Sequence, residues 1–179
     1  MKMNSAQVLA SDPLLTDGWV PVAGFPGYSV NTLGQVVKDS TGRVLHTRQN
    51  QFGVPYVGLM RDGRQCIRSL ALLVAKVFVP GKTDEFDTPI NLDGDRTNCR
   101  VDNIMWRPRL YAIHYSDQFE EQPYEHHIPE PIRDAETDES YPNSLDAACK
   151  NGLLEREVVG SILHNTYAWP TYQKFVIDI

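Results

Sequence analysis

With 179 residues, 41% of them hydrophobic and 22% charged, the chain has the make-up of a folded globular protein of one medium or two small domains. No apolar run approaches the roughly 20 residues that cross a bilayer, and Met1 to Leu15 lacks the basic-then-apolar pattern of a signal peptide, so a membrane partner is not expected and a cytoplasmic location is. The net charge of −6 is unevenly spread: residues 1–110 hold 13 Lys and Arg against 10 Asp and Glu, residues 111–179 only 4 against 13, so any contact with phosphate belongs to the front of the chain.

Residues 1–16 show no periodicity and read as a leader. From Asp17 the texture changes to short β-like runs broken by turn residues: Trp19 to Val22, Tyr28 to Val30, Gln35 to Val37 and Val44-Leu45. Tyr56 to Met60 and Gln65 to Ile67 flank Asp62-Gly63, a strong hairpin signal. The period then becomes helical, with Leu70, Leu73, Val74, Val77 and Phe78 on one face and Pro80-Gly81 as the stop. Residues 82–89 form an acidic loop, 90–106 a turn-rich unit ending at Trp106, and 107–116 a short helix. Residues 117–132 carry Pro, Glu and His without a period and read as a linker, in which His126 and His127 are solvated rather than metal ligands. Two short helices follow around Asn151-Gly152, the first capped by Ser144, and the tail ends in a β-like Lys174 to Ile177. Cys66, Cys99 and Cys149 are odd in number and include no CxxC pair, which indicates neither a zinc site nor a disulfide framework.

Two stretches together resemble the phage and intron HNH homing endonucleases. Gly18 to Val22 with Gly27 to Val36 resembles the small modular domain that precedes the nuclease, with Trp19, Tyr28 and Gly34 as landmarks and Asn31 where Ser is usual. Leu70 to Pro80 resembles the family's helix, and Ile90 to Trp106 resembles its HNH motif, with Asp93, Gly94, Asn98, Asn103 and Trp106 in register. Residues 133–165 more faintly resemble the helix-turn-helix repeat at the C-terminus of the same enzymes, through Ala147, Ala148, Gly152 and Ile162. The resemblance implies an α+β fold. Its parts are a small antiparallel β module over residues 17–69, a ββα-metal (HNH-like) unit over 70–116, the linker 117–132 and a helical unit over 133–179.

It also implies that the chemistry is gone. An HNH site uses a histidine as general base and Asp, Asn or His side chains to hold a divalent metal that stabilises charge on phosphate. In this register the base falls on Asn91, whose amide has no basic nitrogen, and the ligand position before it on Ile90. The later ligand falls on Ala112, the helix histidine on Ala71, and a further ligand position on Tyr115, with His114 one residue away. Asp93, Gly94, Asn98, Asn103 and Trp106 are the structural residues that remain. No metal is therefore expected, and Mg or Mn matters only if residual nicking persists.

Candidates for phosphate contact are Lys38, Arg43, Arg48, Arg61, Arg64 and Arg68 in the β module, and Arg96, Arg100, Arg107 and Arg109 around the HNH-like motif. In the last helix Glu155 and Glu157 would repel phosphate. The expected function is that of an inactive HNH endonuclease-like DNA-binding protein, of phage origin by the resemblance. Two alternatives remain open: a protein-interaction factor that engages a host or phage protein through its acidic C-terminal half, and a weak metal-dependent nicking enzyme.

Overall fold

The computed structural model describes residues 18–120 and 124–178. The leader expected at residues 1–16 lies outside them, as does part of the stretch 117–132. The chain divides into two compact units, Met1–Thr83 with Asp95–Trp106, and Asp84–Gly94 with Arg107–Ile179.

The first unit opens with an antiparallel sheet of β1 (Val20–Pro21), β2 (Tyr28–Val30), β3 (Val36–Lys38) and β4 (Arg43–Val44), paired in that order. A second sheet holds β5 (Arg48–Gln49), β6 (Pro55–Arg61) and β7 (Arg64–Ser69). Asp62 and Gly63 take φ values of 51° and 72°, the left-handed pair that a two-residue hairpin turn needs. Alternation then decides what faces inward. Val57 and Leu59 are 1% and 0% exposed, each contributing roughly 1.5–3 kcal/mol of burial, while Met60 and Ile67 stay outside. The Tyr28 hydroxyl accepts the Met60 amide at 3.2 Å. Helix α1 (Leu70–Phe78) starts where the Ser69 hydroxyl accepts the Leu72 amide, and buries Leu70, Leu73, Val74 and Phe78, the face its period marks. Pro80 holds Val79 extended and ends it. A 3-10 turn (Val101–Asn103) leads into β9 (Ile104–Arg107), of which residues 104–106 belong to this unit.

The second unit holds β8 (Thr88–Asn91), α2 (Arg109–Asp117), α3 (Ser144–Asn151) and α4 (Glu155–His164). Its sheet has the order β11-β10-β12, formed by β10 (Ile132–Asp134), β11 (Ser140–Tyr141) and β12 (Phe175–Ile177), all antiparallel. Ala147 and Ala148 are fully buried where α3 meets α4, and Gly152 at φ 60° turns the chain between them. The sheet is what sequence reading missed: β10 and β11 are three and two residues long, too short for alternation to register.

Two expectations need correction. Ser144 is not the cap of α3. Asn143 is, its side-chain oxygen accepting the Asp146 amide at 2.9 Å. The Ser144 hydroxyl instead donates to Glu155 Oε1 at 2.5 Å and accepts the Ile128 amide at 2.9 Å. His127 is not merely solvated, because its Nδ1 lies 2.6 Å from Glu155 Oε1. Residues 127 and 128 of the linker-like stretch are thereby tied to α3 and α4 of their own unit.

Candidate nucleic-acid interface

The loop after β8 is where the resemblance places a base and a metal. Its turn is closed by the Gly94 amide donating to the Asn91 carbonyl at 3.0 Å, with Gly94 at φ +77°. Helix α2 fastens it from the same unit. The Tyr115 hydroxyl donates to the Leu92 carbonyl at 2.7 Å, and the Phe119 ring lies so near Gly94 that a Cβ there would stand 2.5 Å from it. Tyr115 and Phe119 meet edge to face, centroids 5.4 Å apart. Burial pushes the Tyr115 phenol well above its ordinary range, so it is a donor at any neutral pH. The aligned ligand position at Ala112 is buried, as is Ala71 in its own unit, and neither has a donor atom. His114 points to the exposed side of α2, 4.0 Å from Asp117. Among the described residues no three His, Cys, Asp or Glu side chains converge as a metal site would require. At the positions that the resemblance gives to the base and ligands, Asn91 offers an amide, Ala112 and Ala71 offer methyls, and Tyr115 a buried phenol.

The framework residues are well placed. The Asn103 side-chain amide donates to the Asn98 carbonyl at 2.8 Å, and Trp106, 2% exposed, donates its indole N–H to Val79 O at 2.9 Å. Asp95 accepts both the backbone amide and the hydroxyl of Thr97, and that hydroxyl, with the amide, holds its carboxyl below the usual range. Gly34, at φ +80°, allows the Cys99 carbonyl to approach: a Cβ would stand 2.7 Å from it. Asn31, in place of the usual Ser, accepts the amides of Leu33 and Gln35 at 3.2 and 2.9 Å. Asp93 is exposed, and Trp19 keeps 38% of its surface, so it packs far less than Trp106.

The basic candidates fall into distinct environments. Lys38 and Arg43 stand directly opposite each other on β3 and β4, and Arg61 and Arg64 do so on β6 and β7. All four are exposed. The Arg61 and Arg68 guanidinium groups lie 5.5 and 5.1 Å from the centroid of Phe25, a platform with no sequence signal because Phe25 is remote in the chain. Arg48 is exposed on β5. Arg96 donates to the Phe52 carbonyl at 2.8 Å, and Arg100 holds Asp102 at 3.2 and 3.3 Å. Lys82, not singled out by sequence, stands 5.9 Å over Trp106 in the same unit.

Arg107 and Arg109 belong to the second unit. Arg109 is exposed, but Arg107 is 5% exposed and donates to the carbonyls of Gly152 (2.9 Å) and Asn151 (2.5 Å). It serves as an internal clamp on the end of α3, and it leaves the set of phosphate candidates.

Counted by unit, charge separates more sharply than by sequence halves. The first unit has 11 Lys and Arg against 6 Asp and Glu, net +5; the second has 6 against 17, net −11.

No protein-family model matches the chain. No curated protein matches it either. Among solved structures it is similar to the HNH homing endonuclease I-HmuI, in a structure concerned with DNA binding and cleavage by that enzyme, at 18% identity and a TM-score of 0.52, over 90% of this chain and 98% of that one. At that identity the likeness is one of fold: small antiparallel sheets with four helices among the described residues, an α+β architecture of the HNH-like kind.

Proposed function

We propose that this protein binds DNA through its first unit and does not cut it. The observation that carries the reading is the pair of like-charged couples, Lys38 opposite Arg43 and Arg61 opposite Arg64. Like charges directly opposite across a ladder destabilise a sheet, and the exposed Asp62 beside Arg61, 3.9 Å away, relieves only one of the two couples, whereas a polyanion lying along both hairpins would relieve them both. The net charge of +5 on that unit supports the same reading. The fold it shares with a DNA-cleaving endonuclease makes duplex DNA the natural anion. The absence of cutting is supported by Asn91, Ala112 and Ala71 at the positions that the resemblance gives to the base and ligands. A phage origin is part of the same proposal, on the resemblance.

Fluorescence anisotropy with a labelled duplex tests the binding. The affinity is expected to fall with salt, with a slope of about −0.9 per phosphate contacted. Changing Arg61, Arg64 and Arg68 together to Gln should flatten that slope by up to about 3 and weaken binding on every sequence alike. No binding at low salt would end the proposal. Binding whose salt slope ignores the triple change would move it off this hairpin.

A further inference from the structure

A short loop of the second unit carries three aromatic side chains that stay largely exposed. The loop is closed by the Ala168 amide donating to the Gln173 carbonyl and the Tyr172 amide to the Ala168 carbonyl, both at 2.8 Å. Ala168 is fully buried, while its neighbours Tyr167 and Trp169 are 59% and 41% exposed, and Tyr172 is 67% exposed. Leu163, at the end of α4, is 61% exposed. Trp169 is held in place: one edge meets the Tyr111 ring at 5.0 Å, and its amide donates to Glu157 Oε2 at 3.3 Å.

Tyr172 is the telling residue. Its φ of 60° is left-handed, a conformation that disfavours a bulky L residue, and most of its surface stays exposed. Glycine would serve the loop better. A bulky side chain held in a strained conformation and left mostly exposed points to something outside the fold. Exposed Tyr and Trp on a fixed loop are the usual anchors of an interface, because they offer large area for few rotatable bonds.

The surroundings say what kind of partner fits. The unit carries 17 Asp and Glu against 6 Lys and Arg. Glu157 sits against Trp169, and exposed Glu136 and Glu139 lie on the turn after β10, where the Ala135 amide donates to Lys174 O just beyond the loop. Aromatic faces beside carboxylates suit cations on long apolar stems, and the same charge repels phosphate. We propose that the loop Tyr167–Gln173 docks a Lys- and Arg-rich segment of a partner protein, seated on Tyr167, Trp169 and Tyr172. This reading stands on a different unit from the DNA proposal and does not depend on it.

The test uses the full chain and a labelled peptide alternating Lys or Arg with Ser, beside a Glu-containing control. The chain should bind the basic peptide at low salt, with a change in tryptophan emission, and should ignore the acidic one. Tyr167→Ser with Tyr172→Gly should weaken binding at least about tenfold while the melting temperature holds or rises. A structural role would lower it. Equal binding by the variant, equal binding of the acidic peptide, or a variant that loses both stability and binding would overturn the proposal. In sedimentation, a wild-type dimer absent from the variant would make the occupant a second copy and overturn it as well.

Discussion

At Gly94 two demands meet in one residue. The backbone takes φ +77°, and the Phe119 ring fills the space where a Cβ would go. Gly63 in the β6–β7 turn has a similar φ of +72° but open space around it. Gly94→Ala is therefore expected to cost about 2–4 kcal/mol, and Gly63→Ala only about 1–2. Urea melts of the two variants check this, and equal losses would mean that Phe119 does not support the loop. The turn after Asp93 was legible in the sequence, since Asp-Gly in that register announces it. The support was not. Tyr115 occupies a position that the resemblance assigns to a ligand, yet its hydroxyl anchors the Leu92 carbonyl, and no spacing rule reveals that long-range partner. Arg107 is the converse case. Its charge suggested phosphate, but three-dimensional packing gives it two carbonyls at the end of α3.

Among the elements, hairpin β6–β7 was the easiest to read, because Asp62-Gly63 and the flanking alternation agree. Its register, which brings Arg61 opposite Arg64, needed the structure. That register makes a prediction of opposite signs. Arg64→Glu turns a like-charged couple into an attractive one, so thermal unfolding should show a gain of about 0.2–1 kcal/mol, while duplex affinity falls. A variant that loses both stability and affinity would argue that Arg64 holds the fold rather than DNA. The helices α1, α3 and α4 were legible from period and stop signals. The strands β10 and β11 were not, since Ile132 reads as the end of the linker and three- and two-residue strands are too short for alternation to register. Asp134 is fully buried there. Burial opposes its charge, but the amides of Glu136 and Thr137 and the Gln173 side chain outweigh that and hold its carboxyl below the usual range.

For the whole molecule, the separation of charge into units of +5 and −11 organises the account. Sequence halves showed the trend but blurred it, because the acidic segment 84–94 lies in the front of the chain yet joins the second unit. That separation is what the proposed DNA contact rests on: the first unit carries the net positive charge. None of the described helices is long and apolar enough to cross a membrane.

The most direct test is incubation of the chain with supercoiled plasmid and magnesium, with each sample run on a gel before and after the protein is digested away. The account predicts retarded plasmid in the first lane and intact supercoiled plasmid in the second. Open-circular product that disappears when Asn91 is changed to Ala would contradict it, because an amide at that position would then be supporting phosphodiester cleavage.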